Sequence, residues 1–168
     1  MIRRLRAGVC TAIYTELGLP SPPLSGRYSE LVTAARRLEA AVAPAEISGT
    51  ARNVIHRFLP VWVRRGMRLL VHNDRVSGWI AAMVVPRAMR WLVGPVEPDI
   101  PRARARILRC RFLAETGSAR LCYLFCKGPS ERFFTEELNI PLRMEPNLDT
   151  CACELSFGPR AREMSRHP

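Results

Sequence analysis

The sequence predicts a mostly helical α+β domain, in which an N-terminal helical bundle packs on a small antiparallel β element. Apolar residues recur at helical spacing through the first 94 residues. Two strand-like stretches, Leu142–Glu145 and Cys153–Phe157, flank a turn at Pro146–Asn147 and indicate a hairpin. A chain of 168 residues, 48% hydrophobic and 24% charged, is typical of one globular domain. We expect a single domain over 1–168 in three parts: a helical scaffold (1–94), a cysteine-rich region (95–158) and a polar, frayed tail (159–168).

Three amphipathic helices are predicted at the start of the scaffold. Residues 1–19 form the first, and Tyr28–Val42 forms the second, because their apolar residues fall on one helical face. Pro44 should end the second helix, since proline disrupts a helix interior. Ser48 is then expected to cap a third helix that runs to Phe58.

Two further scaffold helices carry basic and aromatic residues. Pro60 should begin a helix through His72, and Ser77–Val93 should form another that is kinked or restarted at Pro86. The second of these is apolar almost all round but too short to span a bilayer, so it is either a core helix or one lying on a membrane surface. Its arginines and those of the preceding helix are suited to anionic headgroups, with tryptophans at the interface. The residues concerned are Arg64, Arg65, Arg68, Arg87, Arg90, Trp62, Trp79 and Trp91.

The region after the scaffold is less regular. Gly94–Pro101 should be an irregular connection, and Ile107–Leu113 alternates apolar and basic residues, so it is either a strand or a helix. A helix carrying Cys122 and Cys126 should end at Gly128–Pro129. Ser130 should then cap a separate short helix through Leu138.

Five of the six cysteines fall between residues 110 and 158, which indicates either a metal site or a cluster of small core residues. Cys122 and Cys126 are four residues apart, a spacing that places two thiols on one side of a helix. Folding can bring further thiolates to this pair from Cys110, Cys151 or Cys153. Four thiolates suit zinc, iron or an iron–sulfur cluster. Cys10 stands apart and is expected to be a packing residue.

The formal charge of +11 predicts an anionic partner, either nucleic acid or a membrane surface. Nucleic acid is not expected, because the chain has no zinc-finger, helix-turn-helix or RNP-like signature and its arginines are spread along its length. The N-terminal apolar run is too short for a signal peptide. We therefore expect a cytoplasmic protein, or one peripheral to a membrane, whose cysteines are not joined in disulfides.

A set of motifs across the second half resembles the C-terminal domain of the iron-containing plastid β-carotene isomerases of strigolactone synthesis. They are Trp91-Leu-Val-Gly94, Cys110-Arg-Phe-Leu-Ala-Glu-Thr116, the Cys122/Cys126 pair followed by Lys127, Phe133-Phe134, Leu142-x-Met-Glu-Pro-Asn147, and Cys153-Glu-x-x-Phe-Gly158. Enzymes of that family convert all-trans-β-carotene into its 9-cis isomer. The resemblance therefore implies an isomerase acting on β-carotene or a related carotenoid.

The resemblance also implies a set of ligands. The family's cysteines fall on Cys110, Cys122, Cys126 and Cys153, which would hold iron, either as a single ion or as a 4Fe-4S cluster. Two other cysteines of the plant pattern are replaced here by Ser118 and Val96, and Cys151 has no counterpart, so Cys151 is the spare thiol. The chain lacks the long N-terminal extension of the plastid proteins, which indicates a bacterial-type member.

Two mechanisms and two other functional classes remain open from the sequence. Thiolate-bound iron can isomerise a polyene by reversible electron transfer, or a carboxylic acid can protonate the polyene transiently. Glu145 and Glu154 are the candidate acids, with Glu115 as a third, although each is also explained as a solvated or ion-paired carboxylate. The competing classes are a non-catalytic metal-binding protein and a basic module that binds a membrane surface or nucleic acid. The oligomeric state stays open.

Overall fold

The N-terminal half of the chain is helical in this computed structural model, which describes residues 1–59, 61–70 and 73–166. The scaffold helices are α1 (Ile2–Glu16), α2 (Tyr28–Ala41), α3 (Pro44–Phe58), α4 (Val61–Leu70) and α5 (Asp74–Val93). The first three pack through apolar faces whose side chains are almost fully buried, among them Ile13, Leu31, Leu38 and Ile47. The predicted mostly helical α+β fold, with a small antiparallel sheet, is confirmed.

The start of α3 differs from the prediction. Pro44 opens this helix, where its missing N–H costs no hydrogen bond, and Glu46 accepts a hydrogen bond from the Ala43 amide at 3.3 Å. Ser48 is therefore not a cap but lies inside the first turns of α3. Its hydroxyl instead donates to the carbonyl of Leu124 at 3.0 Å, far along the chain.

The last two scaffold helices lie close to where they were predicted. The expected start of α4 at Pro60 and its end at His72 fall outside the described residues. Asn73 caps α5 by accepting from the Arg75 amide at 2.9 Å, so α5 begins three residues before the predicted Ser77. It continues through Pro86 to Val93. Among the described residues, no helix is long and apolar enough to cross a membrane.

A four-stranded antiparallel sheet follows, in the order β1-β2-β4-β3. The strands are β1 (Glu97–Asp99), β2 (Arg104–Ile107), β3 (Leu142–Pro146) and β4 (Cys153–Phe157). The predicted β3–β4 hairpin is confirmed. The irregular connection predicted for Gly94–Pro101 is wrong in part, because β1 lies within it and pairs with β2. The predicted element at Ile107–Leu113 is divided, since only Ile107 is in a strand and α6 (Arg111–Thr116) begins after Cys110.

One long helical segment runs from residue 119 to residue 137 where two separate helices were predicted. It consists of α7 (Ala119–Leu121), a first π segment (Cys122–Lys127), α8 (Gly128–Arg132) and a second π segment (Phe133–Glu137). Gly128 and Pro129 do not end this segment, and Ser130 caps nothing, because the chain widens into π-helical turns and continues. The tail predicted to be frayed is also helical as far as it is described, as α9 (Pro159–Arg166).

Two glycines bring α5 into backbone contact with the end of β4. Gly158 has φ +72°, and a Cβ there would lie 2.4 Å from the carbonyl oxygen of Asp74. Gly78, one turn along α5, sits against the Phe157 carbonyl and the Cα of Gly158. Only glycine permits this approach. It fixes the N-terminal part of α5 on the sheet.

Candidate functional site

The four cysteines singled out by the sequence line one small cavity. Cys110 precedes α6, Cys122 and Cys126 lie on the first π segment, and Cys153 begins β4. Apolar residues close the rest of the cavity, including Val93, Ile107, Leu113 and Met144. The cavity volume is about 10 Å³. Folding thus gathers four thiols from three separate parts of the chain.

The first π segment explains how two of these thiols face the same way. The Gly128 amide donates to the carbonyl of Tyr123, five residues earlier, which is the π-helical pattern. Pro129 has no amide hydrogen and its ring crowds the preceding turn, so a regular α-helical ladder is interrupted there. At Gly128 a Cβ would lie 3.1 Å from the Tyr123 carbonyl, so the wider turn suits glycine.

Backbone hydrogen bonds hold the other two cysteines. The amide of Cys110 donates to the carbonyl of Cys151 at 2.6 Å, and the Asn147 amide donates to the carbonyl of Ala152 at 2.8 Å. The Asn147 side chain closes the turn before Cys151 by accepting from the Asp149 amide at 3.0 Å. Cys153 then pairs with residues of both neighbouring strands.

Burial controls the protonation of these thiols. Desolvation raises the pKa of Cys122 to about 11 and that of Cys153 to about 12, and it also raises the pKa values of Cys110 and Cys126. The thiols raise one another's pKa further, since two neighbouring thiolates repel. As they stand, all four are protonated at neutral pH.

Lys127 is the cation beside these thiols and is the single lysine of the sequence. It lines the cavity, and its charge acts to lower the pKa values of Cys122 and Cys153. Its Nζ lies 2.7 Å from Glu131 Oε1 and also donates to the carbonyl of Met144. A positive charge fixed at this point favours the thiolate forms that metal binding requires.

The four cysteines fit iron in the chemistry of their sulfurs but not in the arrangement of their side chains. Four cysteine sulfurs are the ligands that iron and iron–sulfur clusters take in proteins. Within residues 1–59, 61–70 and 73–166, however, no three His, Cys, Asp or Glu side chains converge in a metal-binding arrangement. A cavity of about 10 Å³ has about the size that one water molecule needs, so an iron–sulfur cluster requires its walls to separate.

An apolar pocket of about 230 Å³ adjoins the cysteine cavity. Residues of α3, α5 and both π segments line it, among them Val54, Met89, Trp91, Phe125, Phe133 and Phe134. Cys126 lines both the pocket and the cysteine cavity, so its side chain is common to the two. A ligand in the apolar pocket would therefore lie beside Cys126, one of the four clustered thiols.

Residues 91–166 match the family described as "Beta-carotene isomerase D27-like, C-terminal". This segment is a D27-like C-terminal domain. The family resemblance expected from the sequence motifs is thereby confirmed.

Two relatives extend the similarity beyond that domain. The chain is 27% identical over 158 residues to "Beta-carotene isomerase D27, chloroplastic" of Arabidopsis thaliana, covering 90% of this chain and 60% of the relative. It is 27% identical over 138 residues to the protein of the same name from Medicago truncatula, covering 78% of this chain and 55% of the relative. The chain thus spans less than two thirds of the length of these relatives. No solved structure matches it.

The three candidate acids of the D27-like domain lie away from the cysteine cavity. Glu145 and Glu154 are directly opposite each other on β3 and β4, and both are exposed. Glu154 is 3.7 Å from Arg106, and Glu115 is held by Arg111 on the surface of α6. None of these three carboxylates lines the cavity or the apolar pocket. Their role as proton donors stays a prediction.

Sequence reasoning missed a polar cluster around Glu137. Glu137 lies 2.7 Å from His56 Nε2, forms an ion pair with Arg64, and is 3.7 Å from Arg52. Burial acts to raise the pKa of Glu137, but hydrogen bonds from His56 and Arg64 outweigh it and hold the pKa below the ordinary value. The carboxylate borders a cavity of about 400 Å³, larger than the other two but not lined by any of the four cysteines. Its partners come from α3 and α4, so no local sequence pattern reveals it.

Proposed function

We propose that the protein is a carotenoid cis–trans isomerase, acting on all-trans-β-carotene or a related carotenoid and forming the 9-cis isomer. The observation that supports this most is the position of Cys126 between the cysteine cavity and the apolar pocket. The names of the relatives indicate the same substrate class. A non-catalytic metal-binding protein needs no apolar pocket beside its thiols.

The apolar pocket binds and orients the polyene in this proposal. Phe125, Phe133 and Phe134 offer aromatic surfaces to the conjugated chain, and the carbon-rich lining excludes water from it. At about 230 Å³ the pocket holds one part of the carotenoid, because pockets that enclose a drug-sized ligand measure about 300–1,000 Å³. The remainder of the molecule stays outside the pocket mouth.

Iron held by Cys110, Cys122, Cys126 and Cys153 would supply reversible electron exchange with the polyene, which lowers the order of one double bond and allows it to rotate. No net oxidation results. The protein's own part is to keep the four sulfurs beside the bound chain, with Lys127 stabilising their anionic forms. Each 1.36 kcal/mol removed from the rotation barrier accelerates the reaction about tenfold.

Protonation of the polyene by Glu145 or Glu154 is the alternative chemistry. It needs the substrate to reach the exposed face of the sheet, because both glutamates are exposed and neither lines the apolar pocket. Glu145→Gln and Glu154→Gln test it directly. Loss of activity in either variant, with full activity retained in metal-free protein, would establish acid catalysis.

The assay uses protein purified without oxygen, elemental analysis for iron and zinc, and all-trans-β-carotene in detergent micelles. Chromatography should show 9-cis product forming without a stoichiometric oxidant or reductant. Cys126→Ser should lose both iron and activity, whereas Cys10→Ser and Cys151→Ser should keep both. An isomer ratio equal to that without protein, at full iron content, would falsify the isomerase proposal for this substrate.

A second variant pair tests the pocket itself. Ala88 is exposed at the pocket mouth, so Ala88→Trp should block entry while the fold and iron content stay unchanged. Ala41→Trp, at an exposed position at the end of α2, is the matched control. Equal activity in the two variants would place the substrate elsewhere.

A further inference from the structure

The outward face of α5 is apolar although it has no partner in the described residues. Large side chains recur on it at helical spacing and are 44–49% exposed: Val76, Trp79, Ile80, Met83 and Val84. The opposite face of the same helix is buried through Ala81, Ala82 and Val85. α5 therefore carries an inner core face and an outer apolar face, which we call the α5 outer face.

The α5 outer face ends in arginines and at the pocket mouth. Arg87 and Arg90 continue its line toward the C-terminal end of the helix, and both are exposed. Ala88 lies four residues after Val84, and Trp91 four residues after Arg87, so each pair shares one side of α5. Since Ala88 and Trp91 both line the apolar pocket, the outer face leads directly to it.

Helix α4 presents a similar mixture of residues. Trp62 is 73% exposed and Leu69 is 71% exposed. The exposed Arg65 and Arg68 alternate with them on the same side of α4. Tryptophan and leucine interleaved with arginine are typical of helices that lie in the headgroup layer of a membrane.

We propose that the α5 outer face, with the exposed side of α4, docks this protein on an anionic membrane surface. The apolar stretch from Val76 to Val84 is about 12 Å long, so it lies in the interface rather than crossing the bilayer. Arg87 and Arg90 pair with anionic headgroups, and the net charge of +11 draws the protein to such a surface. This goes beyond the proposed reaction, because docking needs no carotenoid.

A second copy of this chain fits the same face less well. A symmetric dimer places the same patch against itself. The side chains of the α5 outer face are all apolar, so a second copy of this face supplies no negative charge to pair with Arg87 and Arg90. An anionic membrane interacts with both parts of the face, because its headgroups pair with the arginines and its interface accommodates the apolar side chains.

Flotation of the full chain with carotenoid-free vesicles tests the proposal. The vesicles contain either phosphatidylcholine alone or phosphatidylcholine with about a third phosphatidylglycerol. Each basic residue near an anionic surface contributes about a fivefold gain in partitioning, so Arg87→Gln with Arg90→Gln should reduce binding to anionic vesicles at least tenfold. Arg27→Gln with Arg120→Gln removes the same charge from two exposed positions outside α4 and α5, and should reduce binding much less.

A separate variant tests the contribution of the apolar residues of the α5 outer face to vesicle binding. Trp79→Gln, Ile80→Gln and Val84→Gln together keep helix propensity and charge, so thermal unfolding should be unchanged while vesicle binding falls at least tenfold. Wild-type binding that is equal on neutral and anionic vesicles, or unaffected by this triple variant, would overturn the proposal. So would a dimer seen by light scattering that the triple variant dissociates, with no vesicle binding by the wild-type protein. Because the vesicles hold no carotenoid, these outcomes are independent of the isomerase assay.

Discussion

The amide nitrogen of Cys110 lies 2.6 Å from the carbonyl oxygen of Cys151, so the cysteine without a family counterpart still positions one of the four cavity cysteines through its backbone. Cys151 has φ +58°, in the left-handed region that non-glycine residues rarely adopt. Its backbone conformation, and not its sulfur, is what holds Cys110.

The effect of a substitution at Cys151 on stability should therefore depend on how easily the new residue adopts a left-handed backbone conformation. Cys151→Gly relieves the left-handed strain and should leave stability equal or higher, whereas Cys151→Val should lower the free energy of unfolding by about 1–2 kcal/mol. Thermal unfolding measures both, and Cys151→Ser is the control for loss of the thiol alone. Equal stability of the glycine and valine variants would contradict this account.

Ser48 and Pro129 should be energetically coupled through the Leu124 carbonyl. In the π-helical pattern that carbonyl would accept from residue 129, which as proline has no N–H, and the Ser48 hydroxyl donates to it instead at 3.0 Å. Ser48→Ala should cost about 1 kcal/mol.

A double-mutant cycle checks this coupling. In the Pro129→Ala background the new amide can serve the carbonyl, so Ser48→Ala should cost measurably less there. Denaturant unfolding of the wild type, both single variants and the double variant gives the coupling energy. Additive effects would show that the two residues act independently.

Glu137→Gln should destabilise the protein at neutral pH and change its response to acid. The lowered pKa means that the carboxylate adds stability above its ordinary value of about 4.5, which is lost as pH falls through the folded-state pKa. Losing the charge-assisted bonds to His56 and Arg64 should cost about 1–2 kcal/mol at pH 7.

Glu136→Gln is the matched control, because Glu136 is the exposed neighbour on the same π segment. Thermal unfolding from pH 3 to 7 should show a difference in melting temperature between the two variants, and this difference should narrow below pH 4.5. If the difference in melting temperature stays constant across this range, the loss of stability in Glu137→Gln comes from packing and not from charge.

The cavity thiols should react slowly with alkylating reagents in metal-free protein. With a pKa of about 11, on the order of one Cys122 thiol in a thousand is ionised at pH 8, and burial restricts access further. Cys151 is half-buried and should be labelled first, ahead of the five buried cysteines. Mass spectrometry of digested samples gives each rate, and labelling in denaturant is the control, where the six rates should converge. Rapid native labelling of Cys122 or Cys126 would contradict the burial described for them.

Periodicity and turn chemistry predicted those parts of the fold that are decided locally. Leu31, Ala35 and Leu38 fall on one face of α2 as their spacing requires, and the turn after Pro146 closes the hairpin. The meeting of Cys122 and Cys126 also follows from local spacing. Their grouping with Cys110 and Cys153 followed from the family motifs, and their role as ligands stays a prediction.

Other features depend on partners distant in the sequence. Glu97–Asp99 becomes a strand because it pairs with β2, which in turn pairs with β4 about fifty residues later. The tripeptide Glu-Pro-Asp carries no strand pattern of its own. Gly128 and Pro129 normally indicate a helix end, but here the segment continues through a wide π turn and the Leu124 carbonyl accepts a hydrogen bond from Ser48. The apolar pocket has no linear signature, since it forms between helices.

The contact of Gly158 with Asp74 and Gly78 fixes the orientation of α5 relative to β4. Because the backbones of α5 and β4 meet there without intervening side chains, tilting α5 on a bilayer also tilts the strand that begins with Cys153. In the membrane docking proposed above, these two glycines therefore set the distance from the lipid surface to the cysteine cavity. Gly158→Ala should alter that distance without changing any residue of the α5 outer face or of the apolar pocket.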